Sequence, residues 1–119
     1  MSNNFRTESL KRMPLNEDDL LVQLGTDLVG PGAMPLKPSE LADRARRWLL
    51  AQQEFLEAHI CTNESIKQFA LATTDDSAIA VELAKLLAGL LLPVNPVTLA
   101  VLLIKRGLKS FCSTRWGTP

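Results

Sequence analysis

Residues 86–104 read LLAGLLLPVNPVTLAVLLI, nineteen positions without a charge, with prolines at 93 and 96. One regular helix cannot hold that pair. Each proline removes a backbone donor, and each pushes the residue before it out of helical geometry. The stretch therefore predicts two helices, over 77–92 and 97–111, joined by a short turn. Asn95 supplies an N-cap for the second, and Pro96 suits its first position. On the first helix Ile79, Leu83, Leu86, Leu87 and Leu90 share a face. On the second, Val97, Ala100, Val101, Ile104, Leu108, Phe111 and Cys112 do so, while Lys105, Arg106, Lys109 and Ser110 lie away from them. Leu99, Leu102 and Leu103 then project from the back of the second helix, beside Arg106. They read first as contact with an earlier helix of the same chain, next as a ridge for a protein partner or a second copy of the chain, and last as membrane contact.

Working outward, the chain of 119 residues is long enough for one core and too short for two. Thirteen basic and thirteen acidic residues leave no net charge to select a polyanionic or polycationic partner. The basic residues after position 97 (Lys105, Arg106, Lys109, Arg115) suit the end of a helix, where cations oppose its dipole. Asn16 before Glu17-Asp18-Asp19 opens a helix over 17–29 with Leu20, Leu24 and Leu28 inward, and Gly30-Pro31-Gly32 ends it. Residues 1–15 read as a flexible arm. The longest helix, 38–60, places Leu41, Ala45, Trp48, Phe55 and Leu56 on one face. A short helix over 64–72, with Ile66, Phe69 and Ala70 inward, follows the cap offered by Thr62-Asn63-Glu64-Ser65 after a turn at 61–63. Residues 113–119 form a tail in which Trp116 either folds back or anchors a partner. No run has the alternation of a strand. The expectation is an all-α single-domain bundle of about five helices over 16–112, with a C-terminal apolar hairpin. Its core holds Leu24, Trp48, Phe55, Leu83, Leu86, Leu90, Val101 and Ile104.

Chemistry has few footholds. His59 is the single histidine, and with only Cys61 near it neither a triad nor a metal site assembles. It reads as a packed, hydrogen-bonded structural residue. Gly25 with Gly30-Pro31-Gly32 is no phosphate loop, because no Lys-Ser/Thr pair follows and Pro31 lacks an amide. No enzyme, cofactor or metal is expected. Two cysteines are too few for a disulfide framework, and the first fourteen residues contain no apolar segment of the secretory kind. That reading places the protein in a reducing cytoplasm, with Cys61 and Cys112 as buried thiols.

Three functions compete. A helix-turn-helix DNA reader would send Thr98, Leu99, Leu102 and Leu103 to base edges, and leucines cannot read donors and acceptors there. A membrane hairpin has arms shorter than the roughly 20 residues of a spanning helix. The favoured expectation is a non-enzymatic helical interaction module: an adaptor, an inhibitor or a small subunit. It would bind a protein partner through Leu99, Leu102, Leu103, Arg106 and Trp116.

Overall fold

The computed structural model describes residues 2–32 and 35–117. Eight helices are present among them, and no strand: α1 (Ser2–Arg12), α2 (Glu17–Val29), α3 (Pro38–Ile60), α4 (Glu64–Ala72), α5 (Asp76–Ala88), α6 (Pro96–Arg106), α7 (Leu108–Phe111) and α8 (Ser113–Trp116). The all-helical class stands, and the count rises from five to eight at the two ends of the chain.

Side-chain caps explain where four of the helices begin. Asn16 accepts from the Asp19 amide at 2.7 Å, and Asn63 from that of Ile66 at 3.0 Å. Asp75 accepts from Ser77 and Ala78, and Asn95 from Val97 at 2.8 Å. Each such bond satisfies an amide that the first helical turn leaves without a partner. The Asp75 cap starts α5 at Asp76. The same helix ends at Ala88, four residues before its expected end, because the chain turns over Gly89–Leu92 ahead of Pro93. Gly30 (φ 74°) closes α2, and Gly107 (φ 98°) breaks the final helix, so the expected helix over 97–111 is two.

α6 is the central helix. Every residue from Val97 to Leu103 is buried. It packs on α5 and α2, with α1 and α7 against its flanks. The three leucines read as a ridge are core: Leu99 and Leu102 are fully enclosed and Leu103 is 2% exposed. An outward ridge presupposed a two-layer bundle, which covers one side of a helix. Here the layers close around α6, and an intrachain neighbour occupies the side assigned to a partner.

Residues 1–15, read as an arm, hold α1, which lies against α5 and α6. Arg12 fastens it by donating from Nε to the buried Thr98 hydroxyl at 2.8 Å. At the other end, the expected tail is α8. Its Trp116 is buried and donates its indole N–H to the carbonyl oxygen of Cys61 at 2.8 Å. Cys61 and Cys112 are joined as a disulfide, with Cα atoms 5.4 Å apart, in place of the expected pair of thiols. Bond and disulfide together tie α7 and α8 to the end of α3.

α3 is turned from its expected orientation. Its buried face is Ala42, Ala45, Leu49, Leu56 and Ile60; Trp48 is half-buried, and Phe55 is 41% exposed. The pivot is Gly25 on α2, where an added Cβ would lie 2.0 Å from the carbonyl oxygen of Leu41. The two helices cross backbone to backbone there, and the crossing sets which side of α3 faces inward. Of the remaining core expectations, Leu24, Leu83 and Val101 are buried, and Leu86, Leu90 and Ile104 are half-buried at its edge. Phe69, expected to face inward on α4, is 37% exposed.

Candidate interaction surface

The predicted partner residues do not assemble into a surface. Leu99, Leu102 and Leu103 are interior, and Trp116 is locked under the disulfide by its bond to Cys61. Arg106 is held in an ion pair with Glu17, so the acids that open α2 meet the basic end of α6. Only Leu103 and Arg106 come near one opening together. They line a cleft of about 150 Å³ with Leu49, Leu50, Gln53, Leu56 and Phe111. Leu50 stands at that cleft with 72% of its surface exposed.

The polar residues that converge inside the molecule satisfy one another. Thr98 accepts from Arg12 and donates to Oε1 of Gln23 at 3.4 Å. Arg12 also bonds the Glu8 carboxylate at 2.7 Å and the Glu8 carbonyl at 3.0 Å. Those bonds, from Arg12 first and then Lys11, hold the Glu8 carboxyl below its ordinary pKa. Asp27 accepts from the Asn95 amide at 2.8 Å, which ties α2 to the turn before α6. Asp75 is likewise lowered, chiefly by the Ser77 hydroxyl and then by the Ala78 amide, as befits a helix cap. All of these serve helix ends and crossings. Among the described residues, Ser9 alone has a buried polar side-chain atom without a partner.

His59 is exposed, not packed in the interior as expected, and its ring sits 4.5 Å from that of Phe55, tilted by 52°. Among the described residues no group of three or more His, Cys, Asp or Glu is placed to hold a metal. The DNA-reading geometry also fails at α6, where Thr98, Leu99, Leu102 and Leu103 are all buried and cannot enter a groove. Among the same residues no helix is long and apolar enough to cross a membrane.

The surface that remains was missed in the sequence. Leu91 is 89% exposed, and its φ of 55° is the one left-handed value outside glycine among the described residues. It tops the turn between α5 and α6. The glycine of that turn, Gly89, has φ −71°, so it does not absorb the left-handed position. Beside Leu91, residues Leu92, Pro93, Val94 and Asn95 face Thr26, Asp27, Gly30 and Pro31 across an open depression of about 530 Å³. One signal was available: a helix ending before Pro93 needs a reversal, and the only glycine near it lies two residues too early. No protein-family model, no curated protein and no solved structure matches the chain.

Proposed function

We propose that this chain is a non-catalytic helical interaction module that docks a protein partner through the α5–α6 turn, with Leu91 as the anchor. The observation that carries the reading is the conjunction at Leu91. A single exposed leucine is ordinary on any surface. A left-handed leucine costs about 1–2 kcal/mol of backbone strain, and leaving its side chain in water forgoes about 1.5–3 kcal/mol of burial. Glycine or asparagine would take the same conformation at lower cost. An apolar partner surface recovers the burial term, and the backbone strain is then the cost of holding that side chain outward. The adjoining depression, bounded by Pro31, Leu92, Pro93 and Val94, supplies a recess for the partner's own side chain. The disulfide favours an oxidising compartment over the reducing cytoplasm expected from free thiols.

The test places a photo-reactive amino acid at position 91 and, as a control, at the exposed position 114, in extract of the native cells. A discrete protein adduct at 91 and none at 114 supports the reading, and equal labelling at both overturns it. An excess of the parent chain should compete the adduct away and an excess of Leu91→Asn should not, while the melting temperature of that variant is unchanged or raised. Loss of folding in that variant would mean that Leu91 serves the fold.

A further inference from the structure

A second face, separate from the turn at Leu91, has a charge order that fits a copy of itself. The solvent side of α3 presents Arg47, Leu50, Ala51 and Glu54, all exposed. At 3.6 residues per turn these four fall within a strip about 100° wide. Arg47 and Glu54 stand two turns apart, about 10 Å along the axis, too far to pair with each other. Among the described residues neither has an ion-pair partner; on this helix it is Arg46 that is engaged, by Asp43 at 2.8 Å and Asp18 at 3.4 Å. Between the two free charges lie a leucine that is 72% exposed and an alanine.

We propose that two copies of this chain associate through α3, antiparallel about a two-fold axis passing between Leu50 and Ala51. Arg47 of each copy then faces Glu54 of the other along the middle of the strip, and Leu50 of each meets its own symmetry mate along one edge, with the two Ala51 residues along the other. The positions demand this arrangement. Residues 47 and 54 are equidistant from the midpoint and lie near the centre line of the strip, so one rotation makes both ion pairs at once and brings the two Leu50 side chains together, as an isologous interface requires. A parallel pairing would set Arg47 against Arg47 and Glu54 against Glu54. α3 packs chiefly on α2, on its opposite side, and its 23 residues give an open rod about 34 Å long. Arg44 and Glu57 are again equidistant from the midpoint; of the two acids that precede Arg47 on this side, Asp43 is engaged by Arg46 at 2.8 Å and Glu40 lies in the first turn of the helix. One helix face buries less than the roughly 800 Å² per partner of a standard stable complex. The association is therefore a weak one, visible at high micromolar concentration and weakened by salt, which screens exposed pairs.

Sedimentation equilibrium from 10 µM to 1 mM, at low and high salt, reads it directly. The parent should move from monomer toward dimer over that range. Glu54→Arg sets two like-charge contacts by symmetry and should weaken association at least about tenfold. The swap Arg47→Glu with Glu54→Arg regenerates both pairs and should return to within a few-fold of the parent. All these side chains are exposed, and circular dichroism checks that each variant folds. A parent monomeric at 1 mM overturns the proposal, as does a swap that fails to restore association. Leu91→Asn separates the two surfaces. It should leave the dimer intact, and loss of self-association in that variant would assign the contact to the α5–α6 turn instead.

Discussion

Replacing Gly25 by Ala tests the crossing that orients the longest helix. On an exposed helix that exchange stabilises by about 1 kcal/mol, because glycine is the poorer helix former. Here the new methyl carbon would lie 2.0 Å from the Leu41 carbonyl oxygen, 2.5 Å from its carbon and 2.8 Å from its Cα. An ordinary contact needs more than 3 Å, so α2 and α3 must separate by about 1 Å or more. The obstacle is backbone, which has no rotamer to swing aside. Overpacking usually costs about 1–3 kcal/mol, and a backbone clash in a close-packed crossing belongs at or above the top of that range. Set against the propensity gain, the net loss is about 2 kcal/mol or more. For a domain of this size that lowers the melting temperature by about 8 °C. Urea denaturation followed by circular dichroism measures the sign, with the slope checked for constancy so that the midpoint reports stability. A Gly25→Ala variant as stable as the parent, or more so, refutes the crossing and with it the orientation assigned to α3.

Three further outcomes follow from the same packing. The disulfide closes a loop across a sequence separation of 51, and its removal by Cys61→Ser with Cys112→Ser should cost about 4 kcal/mol on the chain-entropy relation; melts with and without reductant, beside a thiol titration of the unfolded native protein, check it. Leu102→Glu should abolish folding, since a carboxylate cannot be desolvated among apolar neighbours, and a folded, monodisperse variant by circular dichroism and gel filtration would count against the interior position of Leu102. Ser9→Ala should stabilise by about 1 kcal/mol, because it removes a buried hydroxyl without a partner, and a loss in urea denaturation would reveal a hydrogen bond at that site.

The sequence disclosed most where a single residue type decides the local geometry. Asn16 and Asn95 are capping residues by chemistry, so their helices begin where the spacing put them, and within the Thr62-Asn63-Glu64-Ser65 stretch it is Asn63 that caps α4. Pro93 and Pro96 forbid one continuous helix, and Gly30 closes α2 as expected. At the ends of the chain the local signal was weak. α1 has little apolar periodicity, and its position comes from Arg12 reaching Thr98, 86 residues away. The pairing of Cys61 with Cys112 joins the end of α3 to the junction of α7 and α8 across a sequence separation of 51, a distance that local patterning does not reach.

The misread ridge has a different cause. Periodicity reports which side of a helix is more apolar, and that equals the buried side only when the other side is wet. Val97–Leu103 contains no charged residue, and its one polar side chain, Thr98, is satisfied by Arg12 and Gln23. A helix apolar all round is an interior helix. Sorting α6 into an inner face and an outer ridge assumed the boundary that the composition denied. α3 presents the converse. With charge at Arg44, Arg46, Arg47, Glu54 and Glu57 it is wet on one side, and spacing alone puts its two large aromatics, Trp48 and Phe55, on the inward face with Leu41, Ala45 and Leu56. The close approach at Gly25 instead leaves room for Ala42 and Ala45, and the aromatics move to the flank. What a central helix touches is settled by how many neighbours the chain can wrap around it. What a peripheral helix buries is settled by how near its closest neighbour comes. The first is legible in composition, whereas the second here depended on one glycine of the preceding helix.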